Sequence, residues 1–243
     1  MDVLFLILAV LVINTLLGAV GIFSFWVKEK NLRTVSFFLM AFAAGTLLGG
    51  AFFHLFEESL EQGLESETVF LFALGGFVAF FIFENWLHWH RCAECKIHPY
   101  TFNILIGDGI HNLIDGIIVA ITFLISVELG LAASIAILAH EIPQELGIFG
   151  VMVHGGQNKN KSLIYSVAAQ STSIIGGLLG YFFAPSLSPY VPLLLPLAAG
   201  GFIYISSSDL IPEIHKSERT QKIFGIVALF IGLLFMWILK GAH

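Results

Sequence analysis

Residues 100–124 read YTFNILIGDGIHNLIDGIIVAITFL, an apolar stretch long enough to cross a bilayer. Its middle carries the polar run Asp108-Gly109-Ile110-His111-Asn112-Leu113-Ile114-Asp115. The next apolar stretch, 128–153, carries His140-Glu141-Ile142-Pro143-Gln144-Glu145. In lipid an ionisable side chain costs several kcal/mol unless it is paired or functional. Together the runs place two Asp, two His, two Glu, an Asn and a Gln at similar depth. That mixture of imidazole and carboxylate is what a divalent metal of borderline hardness prefers. The rest of the chain reads as the scaffold that holds these two helices side by side.

Composition bears this out. Apolar residues make up 57% of the 243, charged residues only 12%, and mean hydropathy is +0.90. A soluble domain carries about 25% charged residues, so an integral membrane protein is expected, as a single transmembrane domain over 1–243. Eight spans of about 20 residues or more fit: roughly 3–26, 35–56, 68–89, 100–124, 128–153, 162–184, 188–212 and 220–239. All must be helical, because lipid offers no partner to unpaired backbone groups. The first lacks a basic start and is too long for a signal-peptide core, so it reads as a retained span. With Cys92 and Cys95 the only cysteines, no disulfide framework holds the fold.

Lys and Arg set the expected orientation. Lys28, Lys30, Arg33, Arg91, Lys96, Lys159, Lys161, Lys216, Arg219 and Lys222 fall in alternate connections, and Lys240 alone falls on the other side. Both termini are therefore expected outside a plasma or inner membrane, with the basic loops cytoplasmic. The connection after the second span carries Glu57, Glu58, Glu61, Glu65 and Glu67 and no basic residue. It either raises the local cation concentration or is merely a solvated acidic loop.

A repeat is also legible. Ala43-Ala44-Gly45 is followed by His54-Leu55 and Glu58, and Ala198-Ala199-Gly200 by Asp209-Leu210 and Glu213 at the same offsets. The two copies lie 155 residues apart and run in opposite directions through the expected topology. Spans 1–3 (about 1–90) thereby map onto spans 6–8 (162–243), around central helices within 100–153. Inverted repeats with a site at the midplane are an arrangement of secondary transporters.

Positions i, i+3, i+4 and i+7 share a helix face, and Asp108, His111, Asn112 and Asp115 follow that series. His140 with Gln144, and Glu141 with Glu145, form adjacent i,i+4 pairs, and Pro143 is expected to kink their helix and free a carbonyl near Ala139. Facing each other, these sets suffice for one metal, or for two sharing Asp115 and a carboxylate of the partner helix. Two metal-free alternatives are interhelical hydrogen bonding, for which Ser, Thr or Asn would serve, and a proton relay. His140-Glu141 also resembles the zinc-protease His-Glu-x-x-His motif, but Gln144 stands where that motif needs its second His. A non-enzyme is expected.

Asp108 to Gly116, His140 to Gly147, Gly176 to Tyr181 and Ala198 to His215 resemble the ZIP (Zrt/Irt-like) metal transporters, especially their LIV-1 subgroup. The resemblance implies eight helices arranged 3+2+3, commonly a homodimer, importing zinc, and often iron, manganese or cadmium, towards the cytoplasm. It implies His111, Asn112, Asp115, His140, Glu141 and Glu145 as ligands of a mono- or binuclear site. Three positions depart from the subgroup pattern. Gln144 replaces a His, Gly50 and Glu57 replace an Asp and a Pro, and Ile148 replaces an Asp. Fewer nitrogen ligands should loosen discrimination for zinc over harder ions.

Secondary features remain. His88, His90, Cys92, Cys95 and His98 crowd one basic loop, as an additional metal site or an incidental polar loop. His54, Glu58, Asp209 and Glu213 either guide ions along the pathway, with Asp108, or anchor helix ends, and Glu84 and Asn85 read as interfacial. Gly176, Gly177 and Gly180 suggest a close helix crossing. Nothing points to nucleic acid. The expected function is import of zinc or another divalent metal by alternating access through the central site; the alternative is a proton- or cation-conducting channel on the same polar face.

Overall fold

A computed structural model describes residues 3–21, 28–89 and 100–240, with the backbone alone for residues 29, 30, 87–89, 132, 136 and 140. Among the described residues the chain is all helix, without a strand. The helices are α1 (Val3–Leu17), α2 (Glu29–Gly50), α3 (Phe56–Glu61), α4 (Ser66–Trp89), α5 (Tyr100–Ile125) and α6 (Val127–His154). They continue with α7 (Lys159–Gln170), α8 (Thr172–Leu187), α9 (Val191–Tyr204), α10 (Ile211–Lys216) and α11 (Arg219–Lys240). Single π-helical turns, Ala51–Leu55 and Ile205–Leu210, join α2 to α3 and α9 to α10.

Among the described residues seven rods are long and apolar enough to cross a membrane: Asn31–Glu61, Ser66–Trp86, Tyr100–Ile125, Val127–His154, Lys159–Leu187, Val191–Lys216 and Arg219–Lys240. The predicted first span, 3–26, differs. Its helix ends at Leu17, after which Gly18 and Ala19 donate to Thr15 and Leu16 in i→i−3 bonds that tighten the last turn. Residues 22–27 lie outside the described set. Helix starts follow side-chain chemistry: Ser126 accepts from the Leu129 N–H at 3.1 Å, and Asn158 from that of Lys161 at 2.8 Å. Pro143 sits inside α6, yet the helix stays continuous from Val127 to His154.

Glycines bring the helices together, and they do so in reciprocal pairs. Gly45 on α2 packs against the Leu229 carbonyl on α11, and the Phe42 carbonyl packs against Gly232. Gly200 on α9 packs against the Ala73 carbonyl on α4, and the Leu197 carbonyl against Gly76. Phe42 and Leu197 stand 155 residues apart, as do Gly45 and Gly200, and Leu55 and Leu210, which close the two π turns. The short sequence match therefore recurs in the packing. The crossing predicted at Gly176 is present too: Gly176 meets the Leu113 carbonyl on α5 and Gly116 meets that of Ser173 on α8.

The main core contains buried Met40, Ala44, Leu47, Ile104, Ile148, Phe202 and Ile205. It draws on α2, α5, α6, α9 and the π turn after α9. Exposed Phe70, Leu71, Leu74, Ile82, Phe230, Leu234 and Trp237 line the outer sides of α4 and α11, as suits helices solvated by acyl chains.

Candidate metal centre

Asp108, His111, Asn112 and Asp115 are all buried on one face of α5. Asn112 Nδ2 donates to Oδ1 of Asp108 at 3.0 Å and to its carbonyl at 3.1 Å. One turn on, His111 Nε2 lies 3.5 Å from Asp115 Oδ2, and across the gap to α6 it lies 3.6 Å from Glu141 Oε1. The three residues each offer one ligand atom, all within 4.8 Å of one another. Two ligands on a tetrahedral zinc with bonds of about 2.0–2.2 Å stand about 3.3–3.6 Å apart. The His111 separations match that spacing.

Glu145, one turn beyond Glu141, is fully buried and interacts with Asp108, as does Gln144. His140 belongs to α6 by its backbone, and its side chain lies outside the described residues. The chain has no Lys or Arg between Lys96 and Lys159, so histidine is the only basic residue type on α5 and α6 beside Asp108, Asp115, Glu141 and Glu145. Carboxylates buried without a counter-charge are costly. A cation could supply that charge here, since His111, Asp115 and Glu141 form a group able to hold a metal ion.

Gln170 is a residue that sequence reasoning missed. It ends α7, just before the joint at Ser171, and its Nε2 donates to Glu141 Oε2 and, at 3.2 Å, to Glu145 Oε1. Asn14 of α1 donates to its Oε1 at 3.2 Å. The signal was present: Ser162, Ser166, Gln170 and Ser173 recur at helical spacing, and all are fully buried.

A cavity of about 570 Å³ reaches the cluster from the α3 side. His54, Glu57, Glu58 and Glu61 line it together with His111, Asp115 and Gln144. At its wall Lys240 Nζ pairs with Glu57 Oε1 at 2.8 Å. Ile104 and Ile148, one turn from Asp108 and Glu145, and Ile205 of the second π turn do not line the cavity, and each is at most 1% exposed.

Asp209 and Glu213 do not line this cavity. Asp209 is buried beside Glu84 and Asn103, and Glu213 pairs with Lys216 at 2.6 Å. Glu84, half-buried near the end of α4, accepts a 2.5 Å hydrogen bond from Tyr204 of α9. Asn85 is exposed as expected, bonding to the Phe81 carbonyl at 2.7 Å. His90, Cys92, Cys95 and His98, and the side chain of His88, lie outside the described residues.

The sequence model of the ZIP zinc transporter family matches residues 90–240. The chain belongs to the ZIP family. It is 30% identical to zinc transporter ZIP13 of Pongo abelii over 200 residues, which cover 74% of this chain and 59% of that relative. It is 32% identical to zinc transporter foi of Drosophila melanogaster over 132 residues, 54% of this chain and 19% of the relative. It is also 32% identical to metal cation symporter ZIP8 of Rattus norvegicus over 130 residues, 54% of this chain and 28% of the relative. The chain thus spans less than two thirds of the length of these ZIP relatives. Their names are those of transporters, which fits the expected non-enzyme, and the likeness to the LIV-1 subgroup holds.

Proposed function

We propose that this ZIP chain carries divalent metal cations across a membrane, zinc foremost and iron, manganese or cadmium as alternatives. Its cargo binds between α5 and α6 through His111, Asp115 and Glu141, with Asn112, His140, Gln144 and Glu145 around it. The observation that carries this reading is the His111–Asp115–Glu141 group, ligand atoms within 4.8 Å, at the inner end of a cavity lined by His54, Glu57, Glu58 and Glu61. One imidazole among carboxylates suits a borderline ion and holds it less tightly than a closed thiolate cage.

Alternating access follows from the asymmetry. The cluster faces the cavity, whereas Ile104, Ile148 and Ile205 are buried and do not line it. The reciprocal glycine contacts support two inverted halves, about 1–90 and 162–243, in a 3+2+3 arrangement that rocks about the central pair. The Lys240–Glu57 pair supports placing the C-terminal helix end and the acidic connection on one side, read as the outside. Import then runs from the acidic mouth to the basic cytoplasmic face, in a homodimer as the family resemblance implies.

Zinc uptake into proteoliposomes of the purified chain tests the proposal. Saturable uptake that disappears in Asp115→Ala is expected; conductance that never saturates with metal and survives that substitution would refute it.

A further inference from the structure

We infer that Gln170, oriented by Asn14, is a positioning residue that aims Glu141 at the cargo and restricts the cluster to one ion. The inference rests on the metal-site reading above.

Gln170 and Asn14 are at most 1% exposed, so their amides lie away from bulk water. An ionised carboxylate only accepts hydrogen bonds. The Gln170 amide nitrogen must therefore face Glu141 and Glu145, and the Asn14 donor holds its oxygen on the far side. A flipped amide would set an oxygen against two acids and one N–H against another. Three helices thus fix one orientation, and α1, outside the α5–α6 pair, enters the site through this link.

Two consequences follow. Glu141 has Oε2 engaged by Gln170, which leaves Oε1 directed at His111, 3.6 Å away. The gap between Glu141 and Glu145, which a second cation would bridge, holds a neutral N–H donor instead. The packing leaves Gln170 little freedom: a Cβ added to Gly18 of the chain after α1 would meet Gln170 Cγ and the Ser166 carbonyl, each at 3.0 Å.

Calorimetric titration of the purified full chain in detergent with Cd²⁺ tests this, each variant first checked for monodispersity. The stoichiometric difference between wild type and Asp115→Ala counts the ions held at this cluster. One is expected. Two overturns the inference alone, whereas none overturns the metal-site reading itself. Gln170→Glu, which exchanges a donor for a carboxylate, should bind one ion more than wild type; unchanged stoichiometry overturns the inference. Loss of an outer partner of a metal ligand typically costs about 10–100-fold in affinity. Gln170→Ala removes the partner of Glu141, keeps every carboxylate and adds no charge, so it should weaken the site about 10–100-fold, and wild-type affinity in it counts equally against the inference.

Discussion

His111 on α5 and Glu141 on α6 face each other at 3.6 Å, too long for a hydrogen bond and the right spacing for two ligands of one ion. The two polar runs therefore meet through a gap that a cation would fill. Removing a ligand should consequently damage transport far more than it damages the fold.

His111→Ala and Asp115→Ala are expected to lower zinc uptake by at least about 100-fold while both proteins remain in the membrane. Ligand binding stabilises a fold by about 2.7 kcal/mol at a hundredfold excess over Kd. Zinc should therefore raise the unfolding temperature of the wild type and leave that of Asp115→Ala unmoved. Thermal unfolding with and without zinc checks this, and an equal shift in both proteins would place the ion elsewhere.

Gln144 is 2% exposed and lines the cavity with His111 and Asp115. Its amide oxygen is a harder, weaker ligand than imidazole. Gln144→His should shift competition uptake towards zinc over manganese by about tenfold. An unchanged ion ranking would remove Gln144 from the ligand set.

Lipid made much of this legible in advance. A bilayer forces helices and penalises stray charge, so the spans and the face of Asp108, His111, Asn112 and Asp115 could be read from spacing alone. Gln170 could not. Its partners Glu141 and Glu145 lie 29 and 25 residues away on another helix, and no local pattern specifies which buried amide crosses that gap. The Glu84–Tyr204 bond was out of reach for a related reason: its partners lie 120 residues apart. Within the predicted first span the α-helix runs only to Leu17, a local i→i−3 tightening at Gly18 and Ala19 that an uninterrupted apolar run does not announce.

Lys240 and Glu57 are both partly exposed, at 42% and 34% of their side-chain area. Such a pair contributes at most about 1 kcal/mol, so Lys240→Ala should leave the unfolding temperature nearly unchanged. It does free Glu57 beside the cavity. Apparent KM for zinc should fall about two- to threefold at low ionic strength, and the difference should fade near 1 M salt, where the Debye length is about 3 Å. A KM indifferent to both the substitution and salt would mean that Glu57 takes no part in attracting the ion.

The reciprocal crossings give a paired prediction. Gly45 and Gly200 each lie against a backbone carbonyl, of Leu229 and of Ala73, so neither contact relaxes by a side-chain rotation. An added methyl forces the helices apart at about 1–3 kcal/mol, offset by about 1 kcal/mol of helix propensity. Gly45→Ala and Gly200→Ala should each lose up to about 2 kcal/mol, and by similar amounts, because both meet a backbone carbonyl at about the same distance. Gly50→Ala is the control: its Cβ would meet only Met236 Cε at 3.7 Å, so propensity prevails and stability should rise by up to about 1 kcal/mol. If Gly45→Ala and Gly200→Ala both matched that control in thermal unfolding, the close packing of α2 on α11 and of α9 on α4 could not be what holds each half together.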